Sequence, residues 1–197
     1  MVIDLRKCIG CYGCQISCKA EKATPPGVLF ARVVKWEAGE YPNVRRFSLP
    51  VLCMHCENPP CRDVCPTQAT TKRADGIVVI DKDKCVGCRY CMMACPYVAR
   101  YYHARDREYF PGQGLTPYEE RGYRDHPAGV VEKCDFCVER LERGLLPSCV
   151  ATCLASARSF GDLDDPEGEV ATLIRNRGGY QLEPELGTGP SVFYLPP

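Results

Sequence analysis

Four cysteines fall within eleven positions near the start of the chain: Cys8, Cys11, Cys14 and Cys18, in "CIGCYGCQISC". The same spacing returns as Cys85, Cys88, Cys91 and Cys95, in "CVGCRYCMMAC". Two further groups are looser inside, Cys53, Cys56, Cys61 and Cys65 in "CMHCENPPCRDVC" and Cys134, Cys137, Cys149 and Cys153 in "CDFCVERLERGLLPSCVATC". These four groups use all sixteen cysteines of the 197 residues, and each ends on C-x3-C. A thiol can form disulfides, attack an electrophile or, as thiolate, bind soft metals. Spacing decides among these.

A disulfide needs Cα atoms roughly 4.4–6.8 Å apart with converging side chains. Thiols repeated every third residue would have to skip across one another or reach distant segments, so this reading fits poorly. Structural zinc takes two C-x2-C knuckles around one small ion. Groups one and three instead place thiols at i, i+3 and i+6, a loop that curls round an object larger than one ion and grips three of its corners. The cysteine at i+10 points away. This run, closed at Cys95 by Pro96, resembles that of bacterial ferredoxins, in which the fourth cysteine ligates the other [4Fe–4S] cluster of a pair. Gly10, Gly13 and Gly87 suit a loop whose N–H groups must approach sulfide without a Cβ in the way.

Groups one and three align at an offset of 77 (85 minus 8), sharing V-I-D, the Lys before the first Cys and the Gly before the second. That is an internal duplication. Groups two and three are neighbours, which leaves one and four to pair from opposite ends. With fourth cysteines exchanged, four quartets are expected. Cys8, Cys11 and Cys14 take Cys153, and Cys134, Cys137 and Cys149 take Cys18. In the inner pair Cys85, Cys88 and Cys91 take Cys65, and Cys53, Cys56 and Cys61 take Cys95. All sixteen are then iron ligands, and no residue is assigned a catalytic role. Four oxidised cubes would carry the formally neutral chain to about −8. Lys7, Lys84, Lys133, Arg62, Arg89 and Arg140 flank ligand cysteines, though each alone reads as a solvated cation. His55 sits where it could hydrogen-bond a cluster sulfur, and Tyr12, Tyr90, Tyr97 and Phe136 could pack over clusters as readily as fill a core. His103 and His126 read as loop residues.

Short elements must position these groups. Alternating or apolar runs predict strands near Val2–Leu5, Phe30–Trp36, Val44–Leu49, Ile77–Ile80 and Ser191–Leu195, with a hairpin turn at Glu37–Asn43. Short helices are expected after the third cysteine of each group, and a longer one around Glu167–Arg177. Tyr101–Val131 reads as an insertion without clear period, and Tyr180–Pro197 as an extended surface strap. A sequence pI of 6.8 gives no basic surface for nucleic acid. No run approaches the roughly 18 apolar residues of a membrane span. Cys8 arrives before an apolar signal region could be completed, so no export signal is expected.

With the groups in hand, the chain resembles the iron–sulfur (electron-transfer) subunits of molybdopterin oxidoreductases of the dimethyl sulfoxide reductase family, nearest the polysulfide, tetrathionate and arsenate reductase type. "CMHCENPPCRDVCPTQA", "VVIDKDKCVGCRYCMMACPY", "EKCDFCVERLERGLLPSCVATC", "FGDLDDP" and "GTGPSVFYL" carry the likeness nearly end to end. It implies an α+β fold of two ferredoxin-like modules, residues 1–52 plus 128–180 and residues 53–100, with an insertion at 101–127 and a strap at 181–197. It also implies four [4Fe–4S] clusters in a line. The module of groups one and four would face a large molybdopterin catalytic subunit holding molybdenum or tungsten, and the inner module a quinone-reactive membrane anchor. Some relatives replace a second-group ligand with Trp; Cys61 is intact here, which favours four cubanes. Lys19 and Leu154 stand where Pro follows the last cysteine of the other groups.

The function so implied is an electron conduit without bond chemistry of its own. A free polyferredoxin would lack docking surface, and a sensor would need one cluster. Cluster insertion and the missing signal place assembly in the cytoplasm; the resemblance implies a mature complex at the membrane, on the periplasmic face through co-export with the partner, or alternatively on the cytoplasmic face.

Overall fold

Between cysteine loops the chain has room only for short elements. The computed structural model describes residues 1–105 and 108–197. In chain order these form β1 (Val2–Asp4), α1 (Gly13–Lys22), β2 (Arg32–Ala38), β3 (Arg45–Val51), α2 (Pro60–Asp63), β4 (Thr70–Lys72), β5 (Val78–Ile80) and α3 (Tyr90–Met93). There follow β6 (Tyr101–His103), α4 (Pro117–Gly122), β7 (Val130–Glu132), α5 (Val138–Leu141), α6 (Ser148–Ala151), β8 (Arg158–Ser159), α7 (Glu169–Arg177) and β9 (Phe193–Leu195). The fold is α+β with ferredoxin-like architecture. No helix among the described residues is long and apolar enough to cross a membrane.

The helices of the cysteine groups begin one residue before the third cysteine, at Gly13, Pro60, Tyr90 and Ser148, rather than after it. The third and fourth cysteines are four apart, close to one turn of 3.6 residues. The helix therefore has to include the third to aim the fourth. The duplication is visible in the backbone as well as in the letters. Gly10 and Gly87 adopt φ of +64° and +65°, and Tyr12 and Arg89, which precede α1 and α3, adopt +62° and +64°. A Cβ on Gly87 would collide with the Gly129 carbonyl oxygen, and one on Gly10 with Ser48 Oγ. Glycine is needed at both.

Among the described residues four sheets result, none wider than three strands. β2 and β3 pair from Arg32↔Val51 to Ala38↔Arg45; β2 runs two residues further toward the turn than the apolar pattern suggests, while β3 begins one residue later and ends two later. Cross-strand partners explain the extension: Trp36 stacks on Phe47 at 5.4 Å and Glu37 pairs with Arg46 at 2.8 Å. β4–β5 and β6–β7 are antiparallel pairs, and β1 lies between antiparallel β8 and parallel β9.

That last sheet corrects the surface-strap expectation for 181–197. Val192, Tyr194 and Leu195 are completely buried, Tyr194 donates to the Pro50 carbonyl at 2.9 Å, and the Met1 amine donates to the Ser191 carbonyl at 3.0 Å. The Pro- and Gly-rich stretch before it stays irregular, whereas the apolar "SVFYL" run enters the core beside β1. Both chain ends are thereby fastened in one sheet.

The 101–131 segment, apart from residues 106 and 107, which lie outside those described, is built rather than shapeless. Its ends pair as β6 and β7, and α4 carries a capping box between Thr116 and Glu119. Its work is done on α1. The last carbonyls of a helix lack intrahelical donors, and here Tyr118 donates to Ala20 O at 2.6 Å while His126 Nε2 faces Lys22 O. Tyr109 donates to Thr24 O just beyond. His126 Nδ1 meets Glu132 at 2.7 Å, and Glu132 also pairs with Lys82 at 2.8 Å. His126 is a loop residue as expected, though a buried one, whereas His103 lies in β6. The pattern was hidden because the partners are single polar residues far apart in sequence. His126→Ala removes both contacts and should lower stability by about 2 kcal/mol, or roughly 4–8 °C in the thermal midpoint followed by far-UV ellipticity.

Candidate metal centres

The helix starts and the left-handed turns before them bring thiols together across groups. Cys8, Cys11, Cys14 and Cys153 line one small cavity together with Ile9, Val33, Ala157 and Arg158. Cys65, Cys85, Cys88 and Cys91 line a second, and Cys53, Cys56, Cys61 and Cys95 a third. In the fourth set, Cys18 lies within electrostatic reach of Cys149 and Cys137, and Cys134 within reach of Cys18 and Cys149. A Ser17–Ser148 hydroxyl contact of 2.7 Å holds α1 against α6 there. Each set draws three thiols from one group and the last from another.

Do these residues fit a cluster? Among the described residues no three His, Cys, Asp or Glu side chains close on a point that would hold a single ion, although four sulfurs ring each of three cavities. That is the geometry of a larger inorganic body. All sixteen cysteines are free thiols. Burial, followed by the neighbouring thiols, pushes Cys18 and Cys56 up to about 12, and burial pushes Cys137 up to about 11. Cys134, fully buried, is raised well above its ordinary value by burial and then by Cys18 and Asp135. Four thiolates cannot share such a site without positive charge at its centre, which iron supplies. Donors are already aimed at sulfur. The N–H of Ala157 points to Cys153 Sγ at 3.2 Å, that of Val131 to Cys85 Sγ at 3.4 Å and that of Phe136 to Cys134 Sγ at 3.5 Å. At Cys65 burial opposes ionisation, but backbone N–H groups led by that of Thr70 outweigh it and lower the thiol.

Most of the flanking cations are ordinary. Lys84 pairs with Asp81, Arg62 with Asp63 and Arg140 with Glu21. Arg89 lies over the Tyr102 ring at 4.2 Å, and Lys7 is exposed. Lys133 is buried, but its ammonium serves the Val78 and Cys134 carbonyls. The residues that sequence reasoning missed are Arg100 and Arg158, 4% and 5% exposed. Arg158 reaches Cys14 Sγ at 3.5 Å and Cys149 Sγ at 3.6 Å. Arg100 lines both the Cys65/85/88/91 and the Cys53/56/61/95 cavities. A signal existed: "CPYVAR" and "CLASAR" each place A-R at the fourth and fifth positions after the last cysteine of a group.

His55 keeps its Nε2 buried without a protein partner and uses its other ring nitrogen in the fold. Its Nδ1 accepts from the Val78 N–H at 3.1 Å, and its ring stacks on Phe136 at 3.7 Å. Burial, and then the Lys133 charge, lowers its basicity and keeps it neutral. These two residues stand at the same place in C-M-H-C and C-D-F-C, so they join the second group to the fourth. Cys134 and Cys53 also lie within electrostatic reach of each other. Tyr97 is tied to Thr188 at 2.6 Å and half-buried Tyr12 carries Lys35 over its ring, whereas Tyr90 is exposed. Of the sixteen cysteines only Cys11 and Cys88 are exposed, beside exposed Ile9, Val86 and Met93.

Comparison with known proteins agrees with this chemistry. The 4Fe-4S dicluster domain family matches residues 44–111 and 109–163. A subunit of the selenate reductase of Mesobacillus selenatarsenatis is 46% identical, over 99% of this chain and 70% of that protein. A subunit of the tetrathionate reductase of Salmonella typhimurium is 44% identical over 99% and 71%, respectively. The arsenate respiratory reductase iron–sulfur subunit of a Shewanella species is 40% identical over 99% and 94%. Two dicluster matches and sixteen cysteines mean that the chain carries four [4Fe–4S] clusters. Because buried thiols form so much of the interior, stripping the iron with acid and chelator should abolish near-UV ellipticity and most far-UV ellipticity together, with both returning on anaerobic reconstitution.

Proposed function

The chain belongs to the iron–sulfur subunit family of dimethyl sulfoxide reductase-type oxidoreductases, and on that premise we propose that it relays electrons between a large molybdopterin catalytic subunit and a quinone-linked membrane anchor or other redox partner. Each [4Fe–4S] cluster supplies a one-electron station whose potential the surrounding protein sets. The reading assigns the ligands as Cys8, Cys11, Cys14 with Cys153; Cys134, Cys137, Cys149 with Cys18; Cys53, Cys56, Cys61 with Cys95; and Cys85, Cys88, Cys91 with Cys65. Residues 1–52 plus 128–180 then hold the outer pair and residues 53–100 the inner pair. Substrate chemistry belongs to the catalytic partner, which would hold molybdenum or tungsten.

One observation carries the proposal: the cysteine sets are neighbours in series and the series has two exposed ends. Arg158 touches the first and second sets, Cys134 and Cys53 connect the second and third, and Arg100 lines the third and fourth. Cys11, in the first set, and Cys88, in the last, are the two exposed cysteines, close in sequence to exposed Ile9 and Val86. A carrier with one entrance would need neither the length nor the second opening.

Anaerobic purification from native cells should bring down a large companion containing molybdenum or tungsten, with about sixteen irons on this chain (four cubes of four). Intact four-cluster chain without any companion would favour a free carrier. Ligand exchange is tested by additivity. Cys11→Ser with Cys153→Ser should lose no more iron than the worse single variant, because both corners belong to one cube. Cys11→Ser with Cys18→Ser should lose roughly the sum. The opposite pattern rules out the exchange.

A further inference from the structure

The two buried arginines have no counterpart in the ligand scheme, and their placement is too alike to leave to packing. Both follow the last cysteine of a group by five residues, and each follows a buried alanine, Ala99 or Ala157. Each reaches toward the third cysteines of two paired groups. Arg158 directs Nη2 at Cys14 and Nη1 at Cys149, one from each outer set. Arg100 lies between the inner sets, its strongest charge partners being Cys61 and Cys91, again one from each. Thr70 Oγ1 accepts from Arg100 Nη1 at 3.2 Å, while Nη2 is buried without any protein acceptor. At the corresponding place after the second group, "CPTQAT" puts that same Thr70.

Burying a guanidinium is costly unless an anion faces it. Thiolates, with Tyr194, are the charge partners of Arg158, and no carboxylate is among its leading neighbours or those of Arg100. These cations are therefore placed for sulfur and for whatever the sulfur holds. Arginine keeps its proton at every working pH, so its charge is constant while the clusters change theirs.

We propose that Arg158 and Arg100 are potential-setting residues, each a single fixed cation shared by the two clusters of one pair and raising the reduction potential of both. The inference rests on the ligand sets proposed above. Reduction adds one electron to a cube, from about −2 to −3 with its thiolates. A nearby positive charge stabilises the more negative state, and N–H donation to ligand sulfur acts in the same direction. The electron comes from the redox partner and the arginine neither gains nor loses a proton. A fixed charge shifts each cluster by its own Coulomb energy and leaves the repulsion between two added electrons unchanged. Sharing one cation thus moves a pair together, so that neither member becomes a deep trap or a high step for the other.

The full chain, purified anaerobically and assayed for iron, is titrated with a chemical reductant while low-temperature spin signals report each cluster. In Arg158→Met the reduced-to-oxidised ratio of both outer clusters at fixed applied potential should fall about tenfold, about 59 mV for a one-electron couple. The inner clusters and the spin coupling within the outer pair should not move. Arg100→Met should give the mirror result. Unmoved outer potentials, or an equal shift of all four clusters, overturn the proposal. If Arg158→Met fails to hold its iron, Arg158→Lys decides. It keeps the charge, whereas Arg158→Gln removes it, so both outer potentials should stay with Lys and fall with Gln; equal potentials in the two variants, or iron lost from both, leave only a packing role. Iron short of four cubes in the unsubstituted chain refutes the ligand sets instead, which separates the two failures.

Discussion

The structure turns on the burial of sulfur. Cys14, Cys18, Cys53, Cys56, Cys134 and Cys149 belong to the main core, in company with Met1, Ile3, Phe30, Leu52 and Tyr194. A thiol in that setting resists ionisation, yet cluster binding demands the thiolate. The conflict is resolved only when iron enters, so the interior is completed by the metal. Conventional elements have little left to do: the longest helix has ten residues and the longest strands seven. Folding and cluster loading become one process.

Duplication explains the regularities and divergence explains the exceptions. Gly10 and Gly87, and Tyr12 and Arg89, occupy matching left-handed conformations 77 residues apart, so the ligand loop is kept as backbone geometry even where its side chains differ. The second and fourth groups spread the same task over longer loops. There Pro60 and Ser148 restart a helical turn just before the third cysteine. His55 and Phe136, equivalent in their groups, meet face to face and fix one half of the molecule against the other.

Two segments that look like accessories hold this arrangement shut. The 101–131 segment finishes α1, the helix carrying Cys14 and Cys18, by offering tyrosine and histidine donors to carbonyls that the helix itself cannot satisfy. The C-terminal run lies parallel to β1 and covers it with Tyr194 and Leu195. Neither contains a ligand cysteine, yet both constrain where the cysteine loops can stand.

The cysteine spacing was enough, by itself, to show four groups and an internal repeat, and its likeness to the ferredoxin run pointed to iron and sulfur, because a polynuclear cluster imposes short-range intervals on its own loop. Strands with clear alternation, the hairpin at Glu37–Asn43 and the helix ending at Arg177 were legible for the same reason: their periods are local. What joins distant segments was not. Arg100 and Arg158 each look like one arginine among many until folding carries them between two sulfur sets. His126 and Tyr118 gain their role only against α1, and the last strand only against the first. Those contacts depend on low dielectric and on orphaned carbonyls, conditions that exist in the folded interior and nowhere along the extended chain.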